Sequence, residues 1–219
     1  DLTRRRLLYD LTVLGIGCVK TSFNFSEGVV VDYVDPANVV YSHTESPYFE
    51  DIYYVGEVKT IPINELVKQF PGLTNDDLEK IQYQAVYTTS NRYNYKDIGD
   101  KNKVQVLYFN YKTYTNDVYK LKVGSGAEKI IPKDDTFNPP QSKEGGYSKL
   151  QRSVECIFEG ALVLGTDKLL MWQKAENMMR SKSDYNKVKM NYAIVAPRLY
   201  KGRIESLVRR ITGFADMIQ

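Results

Sequence analysis

The chain has 219 residues, enough for one large or two small domains with a sizeable core. Its 30 lysines and arginines nearly balance 27 aspartates and glutamates, and the net charge of +3 indicates neither nucleic acid nor a membrane as a partner. No apolar run approaches the roughly 20 residues of a membrane span, and no signal peptide is visible. Tyrosine is unusually frequent, with 18 copies against 8 phenylalanines, and it suits half-buried sheet faces or, secondarily, surfaces that meet a partner.

The first segment, "LTRRRLLYDLTVLGIG", predicts a helix, because its leucines recur at helical spacing before Gly15 and Gly17 end it. "CVKTSFNF" and "VVVDYV" follow as a β-hairpin around Ser26-Glu27-Gly28. Asp35-Pro36 stops the second strand, because proline has no backbone donor and restricts the residue before it. We then expect a short strand at "NVVYS", a loop at "ESPYFED" and a longer strand at "IYYVGEVKTI".

Two short helices follow at "PINELVKQF" and "TNDDLEKIQYQAV". Thr74 is expected to cap the second helix, with Asp77 three residues later in a capping-box pattern. Residues 87–102 are polar and aperiodic, and we interpret them as a loop or linker. They divide one predicted α+β domain, residues 1–200, into a helix-and-hairpin half, residues 1–100, and a β-rich half, residues 101–200.

The second half predicts two more hairpins and a last strand at "NYAIVAP". "KVQVLYFNYKTYT" and "VYKLKVG" form the first hairpin around Asn116-Asp117, and "AEKII" adds a strand. "RSVECIFEGALVL" and "KLLMWQKAE" form the other around Gly165-Thr166-Asp167, and residues 133–149 between them are expected to be an exposed loop. One strand is apolar on both sides, so we expect both of its faces to be covered; its two rows are Val104, Val106, Tyr108 and Leu107, Phe109, Tyr111.

The final segment, residues 201–219, predicts an amphipathic helix from Gly202 onward. Its apolar stripe is wide enough for one packed side and consists of Ile204, Leu207, Val208, Ile211, Ala215 and Ile218. Arg203 and Arg210 are a heptad apart and would share one flank of the helix, where the plain interpretation is a solvated pair. The predicted fold class is α+β, with antiparallel hairpins in a small barrel- or sandwich-like body, short helices and this terminal helix.

Chemistry-bearing motifs are absent from the sequence. No nucleotide-binding or nucleophile-elbow motif occurs, and "VGSGAEK" is expected to be a turn. We interpret Cys18 and Cys156 as buried, reduced thiols, and His43 as the single histidine, unable to complete a metal set. We interpret Glu45, Glu50 and Asp51 as solvated loop charges. The arginines within residues 3–6 are interpreted as the solvated face of the first helix. We therefore expect no catalytic residue, no cofactor, no metal and no enzymatic activity.

Two parts of the chain resemble a known family. The first is "GIGCVKTSFNFSEGVVVDYVDPANVVYSHTESPYFEDIYYVGEVKTIPINELVKQFP" with the helix containing "LLYDL" before it, and the second is "AIVAPRLYKGRIESLVRRITGFADMIQ". The first part resembles the wing region of portal proteins of tailed bacteriophages, of the podophage, crAss-like type. The resemblance is in the order of its features: a helix end, a hairpin, the "VDPANVV" break, an acidic loop, an aromatic strand and a helix. The second part looks like the lead into the stem helix of such portals. Residues 73–192 are compatible β structure without a specific match.

The resemblance implies a structural role. Such portals form a dodecameric ring at one capsid vertex of the virion, after synthesis in the bacterial cytoplasm. The ring conducts double-stranded DNA without sequence specificity during packaging and ejection, and it contacts terminase, tail and capsid proteins. The chain would then supply the wing and, at residues 201–219, the start of the stem helix. In that role the apolar stripe would face the wing or a neighbouring stem, and Arg203 and Arg210 would meet a neighbour's carboxylate or the phosphates of passing DNA. Both ends of the sequence look cut, so we expect a piece of a longer protein that by itself is monomeric, with no membrane partner.

Two other functions remain open from the residues alone. One is a stand-alone β-rich binding module that recognises peptide or glycan through exposed tyrosines. The other, which ranks last, is an enzyme with an acid–base pair at Glu45 and Glu50.

Overall fold

The structure, a computed structural model, describes residues 2–90, 102–122, 130–134, 136–139 and 147–218. The first half contains eight elements in chain order: α1 Leu2–Val13, β1 Gly17–Asn24, β2 Gly28–Val34, a 3-10 turn at Pro36–Asn38, β3 Val39–Tyr41, β4 Tyr54–Pro62, α2 Ile63–Gln69 and α3 Asn75–Ser90. The second half continues with β5 Lys103–Lys122, β6 Ile130–Lys133, β7 Tyr147–Val163, β8 Leu169–Lys174, β9 Met179–Arg180, β10 Val188–Lys189, β11 Tyr192–Val195, β12 Leu199–Tyr200, β13 Arg203–Ile204 and α4 Leu207–Ile218.

Two antiparallel sheets organise these elements. The large sheet has the order β3-β4-β5-β7-β8, with β6 beside the far end of β5, and the small sheet has the order β11-β1-β2. Both sheets join strands from the two halves of the chain, through the pairs β4–β5 and β1–β11. The predicted α+β class with antiparallel hairpins is confirmed, and the described sheets stay open and form no closed barrel.

Several local signals produce the predicted elements. The β1–β2 hairpin turns at Gly28, whose φ of 77° is a conformation that glycine adopts without strain. Asp35 ends β2 and accepts a hydrogen bond from the Ala37 amide at 2.9 Å, so the Asp-Pro break becomes a capped 3-10 turn. Thr74 Oγ1 accepts from the Asp77 amide at 3.3 Å, which confirms the predicted cap of α3.

Helices α2 and α3 cover one face of the large sheet. Leu66 and Ile81 pack there against Val104, Val106 and neighbouring side chains of β7 in one buried cluster. A second cluster lies between the small sheet and the loop before β4, where Cys18, Ile52, Val55, Ile194 and Ala196 are its most buried members. Because burial of apolar area drives folding, these two clusters fix how the sheets and helices sit together.

The predicted hairpin at Asn116-Asp117 is wrong. Both residues lie inside the 20-residue strand β5, where Asn116 pairs with Ser153 and Asp117 pairs with Arg152 of β7. The long partner strand supplies a continuous ladder, and the opposite charges of Asp117 and Arg152 suit a directly paired position. A turn-prone dipeptide is therefore held extended by its neighbour strand, a long-range effect that local sequence does not record.

Three predicted loops fall partly or wholly outside the described residues. The turn at residues 123–129 lies outside them entirely. In the predicted loop at residues 87–102, residues 87–90 belong to α3, and residues 91–101 are not among the residues that the structure describes. Of the loop at residues 133–149, Lys133 belongs to β6, residues 147–149 belong to β7, and residues 135 and 140–146 lie outside the description.

Candidate functional site

Helix α4 begins later than the sequence pattern predicts. Ser206 Oγ accepts a hydrogen bond from the Arg209 amide at 3.1 Å, which makes Ser206 the cap and Leu207 the first helical residue. The preceding residues form a two-residue hairpin, β12–β13, whose turn residues Lys201 and Gly202 both have positive φ. Gly202 therefore belongs to a turn, and the serine was the signal in the sequence that marks the true helix start.

The six predicted stripe residues do not share one environment. Ile204 lies in β13 and packs, partly buried, against the core cluster of the small sheet, so its assignment to the helix is wrong. Leu207, Val208 and Ile211 lie in α4 with exposed side chains, and Ala215 and Ile218 also lie in α4. Two exposed apolar residues were missed, Phe214 and Met217. We define the α4 apolar face as Leu207, Val208, Ile211 and Phe214; Met217, nine residues after Val208, projects from the opposite side of the helix from Val208.

The α4 apolar face is open in the described structure. Leu207, Ile211 and Phe214 follow one another at helical spacing, and Ile211 and Phe214 are each 60% exposed. The start of the helix is anchored, because α4 contacts α1 and the Gly15 backbone lies directly against Glu205. An amphipathic helix whose base is fixed and whose apolar side faces water presents a surface suited to a partner.

Arg203 and Arg210 do not share a helix flank. Arg203 lies in β13 opposite Tyr200, whereas Arg210 lies in α4, so the predicted heptad relation is wrong because the helix starts after Arg203. Both side chains are exposed. Arg210 lines a groove of about 370 Å³ along α4, together with Arg209, Phe214 and other α4 residues. Arg209 and Arg210 therefore give the apolar face a basic border.

A second apolar surface lies on the large sheet, on the side away from α2 and α3. We define this aromatic face as Tyr53, Phe109, Tyr111, Phe158 and Trp172. Trp172 stacks on Phe158 with 5.2 Å between ring centroids, and lies 5.9 Å from Phe109 and 6.4 Å from Tyr111, which meets Tyr53 edge to face. Trp172 is 47% exposed. The expectation that both sides of β5 are covered is therefore wrong for this side, where rings pack mainly on one another.

A buried polar cluster joins the two sheets. Glu57 of β4 is only 6% exposed, and its Oε1 lies 2.9 Å from Lys59 Nζ and 3.5 Å from Lys20 Nζ. Burial, followed by the Glu57 charge, raises the pKa of Tyr192 above its ordinary value, and the same two causes raise the pKa of Cys18 to about 12. Both groups therefore stay protonated at neutral pH. The Lys20–Glu57 contact links β1 of the small sheet to β4 of the large sheet. Sequence reasoning missed Glu57, because β4 also carries the exposed Lys59 and Thr60 and gives no local sign that the glutamate is buried.

The catalytic alternatives gain no supporting geometry. Glu45 and Glu50 are exposed, and Asp51 accepts a hydrogen bond from Thr44, which lowers the pKa of Asp51 below its ordinary value. Cys18 and Cys156 are fully buried free thiols, as predicted, while His43 is exposed. Within the described part of the chain, no group of three acidic, histidine or cysteine side chains is placed to hold a metal ion.

Comparisons with known proteins return no match: neither a protein-family model nor a curated protein sequence aligns with this chain. Among the helices in the described ranges, none is both long and apolar enough to cross a membrane. The features of the chain that bear on its function are therefore the two apolar surfaces and the family resemblance of its sequence.

Proposed function

We propose that the chain is a structural subunit of a bacteriophage portal, containing the wing and the start of the stem helix. The order of elements supports the proposal: α1, the β1–β2 hairpin, the Asp35-Pro36 break, β3, the loop to β4 and then α2 follow the order of the motifs that resemble portal wings. In this role the chain has no catalytic residue and no cofactor. Its partners are identical subunits, terminase, tail and capsid proteins, and DNA in the channel.

The open α4 apolar face is the observation that carries the proposal. Fully burying a leucine, isoleucine, phenylalanine or methionine side chain contributes roughly 1.5–3 kcal/mol. Four such or similar side chains form the exposed face of one 12-residue helix. In a closed ring of identical subunits, a different surface of the neighbouring subunit would cover this face, because contacts around a ring join two unlike surfaces and repeat at every subunit boundary. The basic border of Arg209 and Arg210 would then meet acidic groups of that neighbour.

Ring assembly tests the proposal. The longer portal protein that the proposal assumes is expected to form rings with a central hole in negative-stain images, while the 219-residue chain stays monomeric or weakly associated in light scattering. Ile211→Asp is expected to abolish rings, because the contact would bury a charge. Arg210→Ala is expected to be milder, because an exposed ion pair contributes about 0–1 kcal/mol.

A matched control separates the helix from general surface effects. Val29 of β2 is 68% exposed, so Val29→Asp introduces the same charge at a similarly exposed β-branched residue away from α4. Rings from Val29→Asp and none from Ile211→Asp, with equal thermal melting of both, are the expected pattern. Monodisperse monomers of the longer wild-type protein would refute the proposal, and normal rings from Ile211→Asp would refute the assigned packing face.

The aromatic face favours a second candidate, a binding module for peptide or glycan. Its exposed rings offer flat apolar area with hydroxyl groups at the edge, as in paratopes rich in tyrosine and tryptophan. Trp172→Ala would abolish ligand binding in a peptide or glycan array if this candidate is correct, and it would leave ring assembly unchanged if the portal proposal is correct and the face is not an interface. Array binding by a protein that never assembles would decide for the second candidate.

A further inference from the structure

The loop before β4 presents one tyrosine and two carboxylates to solvent. We define residues 45–51 as the tyrosine loop. Tyr48 is 67% exposed, and Glu45 and Glu50 on either side of it are exposed as well. Neither glutamate forms an ion pair within the described part of the chain, so both charges are available to a partner.

The buried residues of the tyrosine loop hold it in one conformation. Phe49 is only 4% exposed and has a positive φ of 55°, which is uncommon for a residue with a side chain. Asp51 accepts a hydrogen bond from the Thr44 hydroxyl, and the Ala196 amide donates to the Pro47 carbonyl at 2.9 Å. The residues on either side of Phe49 therefore stay at the surface, and a partner would meet them with little cost in ordering the loop.

The α4 apolar face has the complementary composition. Ile211 and Phe214 are each 60% exposed, and Arg209 and Arg210 border them. Among the described residues, neither arginine is paired with a carboxylate. Charged groups across an interface are arranged so that their potentials are complementary. A surface that covers the α4 apolar face is therefore expected to carry carboxylates beside an apolar side chain.

Two other exposed apolar surfaces fit this requirement less well. On the aromatic face, the exposed Lys174 pairs directly with Phe158, and its charge would repel the arginines of α4. The end of the β1–β2 hairpin exposes 96% of Phe25, but its turn carries a single carboxylate, Glu27. The tyrosine loop places a carboxylate on each side of one aromatic ring, which matches two arginines.

We propose that the tyrosine loop of a second copy of the chain docks on the α4 apolar face. Tyr48 would pack against Ile211 and Phe214, and the two glutamates of the loop would meet the two arginines of the helix. Tyrosine, phenylalanine and arginine are enriched in protein interfaces. The loop and the helix are unlike surfaces, as contacts around a closed ring require. The inference rests on the proposed function, which supplies the repeated subunits, and it adds the surface that each neighbour contributes.

Cysteine cross-linking of the 219-residue chain tests the contact without removing any of the groups that form it. The loop chain carries Ser46→Cys, and the helix chain carries Gly213→Cys with an affinity tag, at a position where a side chain meets no atom within 4 Å. The native Cys18 and Cys156 are fully buried and do not compete. The two chains are mixed, oxidised gently and separated by electrophoresis without reductant. The control mixture replaces the loop chain by Ser26→Cys, the same change in the exposed turn of the β1–β2 hairpin.

Docking raises the effective concentration of the two cysteines. The mixed dimer of loop chain and helix chain is expected to form about tenfold faster than the mixed dimer of the control. Equal rates, or no mixed dimer at all, overturn the inference. A faster rate for Ser26→Cys also overturns it, and assigns the contact to the hairpin. Melting temperatures within a few degrees of wild type establish that each variant is folded.

Charge reversal tests the pairing of glutamates with arginines. Arg209→Glu with Arg210→Glu on the helix chain is expected to slow the cross-link about tenfold, because like charges would then face each other. Adding Glu45→Lys and Glu50→Lys to the loop chain is expected to restore most of the original rate. Failure of these two lysines to restore the rate overturns the assigned pairing.

A matched control and ring images complete the test. The two lysines placed instead at Glu65 and Glu79, exposed residues of α2 and α3, are expected to restore nothing. In the longer protein, Tyr48→Asp is expected to abolish rings, and intact rings from this variant would refute the loop as the covering surface while the proposed function stands. A specific cross-link without rings of the wild-type longer protein would show that the proposed function has failed and the contact has not.

Discussion

Gly160→Ala tests how tightly the aromatic face is packed. Gly160 of β7 pairs directly with Phe109 of β5, and the Phe109 ring covers it. A methyl group on Gly160 would come 2.7 Å from Phe109 Cε1 and closer still to Cζ, distances that carbon atoms do not adopt. Phe109 cannot retreat along the face, because Trp172 lies beside it with 5.9 Å between ring centroids. The ring must therefore swing toward solvent or push Trp172 away.

The expected cost is the difference of two opposing effects. Forcing an extra methyl group into a packed site typically costs about 1–3 kcal/mol. Replacing glycine by alanine restricts the unfolded chain and recovers about 0.4–1 kcal/mol. The midpoints of these two ranges give a net loss of about 1.3 kcal/mol in the free energy of unfolding. Gly72→Ala is the matched control, because a methyl group there meets no atom within 4 Å, and it is expected to be neutral or slightly stabilising.

Urea unfolding followed by tryptophan fluorescence measures both the energy and its location. Trp172 is the only tryptophan of the chain and belongs to the strained cluster, so its native emission should change in Gly160→Ala and not in Gly72→Ala. Adding Phe109→Leu to Gly160→Ala removes the clashing ring and is expected to recover part of the lost stability. Wild-type stability and emission in Gly160→Ala would show that Phe109 does not lie over Gly160 as described.

Further predictions concern packing, capping and titration. Leu66→Ala, at a fully buried position of α2, is expected to lower the free energy of unfolding in urea by about 2–5 kcal/mol. Thr74→Ala removes the cap of α3 and is expected to cost about 1 kcal/mol in the same assay. Hydrogen bonds from Lys168 and Thr74 lower the pKa of Asp77 from 3.8 to about 2. A carboxyl group whose pKa is lower in the folded chain than in the unfolded chain stabilises the fold at pH values above its unfolded pKa, and this stabilisation is lost as the pH falls toward the folded-state pKa of about 2. The difference in unfolding free energy between wild type and Asp77→Asn should therefore shrink between about pH 5 and pH 2. Burial raises the pKa of Cys18 to about 12, so a thiol reagent at about pH 8 should label it only as fast as the chain opens, and rapid labelling of the native chain would contradict the buried assignment.

The elements that the sequence predicted well are those encoded by neighbouring residues. Ser26-Glu27-Gly28 closes the β1–β2 hairpin, and Asp35 caps the turn that Pro36 begins. In each case one residue type satisfies a local backbone requirement, a positive φ or an open amide, so no distant partner is needed. The start of α4 is encoded locally as well, because Ser206 caps it. The prediction placed this start too early because it followed the apolar periodicity of the segment and not the capping serine.

The features that the sequence did not predict depend on partners far along the chain. Asn116 and Asp117 favour a turn locally, but 17 consecutive residues of β7 pair with β5 and hold them extended. Glu57 looks like a surface residue within its own strand, and its burial follows from Lys20 and Tyr192, which arrive from the small sheet. The candidate interface was found in part, because helical spacing identified Ile211, whereas only the three-dimensional structure shows that the helix face is open.

The two apolar surfaces of the molecule do not need a partner to the same degree. On the aromatic face, Trp172 covers Phe158 and Phe109 covers Gly160, so the rings already remove much of one another's area from water. On the α4 apolar face, Ile211 and Phe214 have no comparable cover within the described structure. Because hydrophobic stabilisation grows with the area newly removed from water, a neighbour gains more by covering α4 than by covering the sheet. This difference is why the assembly of identical subunits through α4 ranks above ligand binding at the aromatic face.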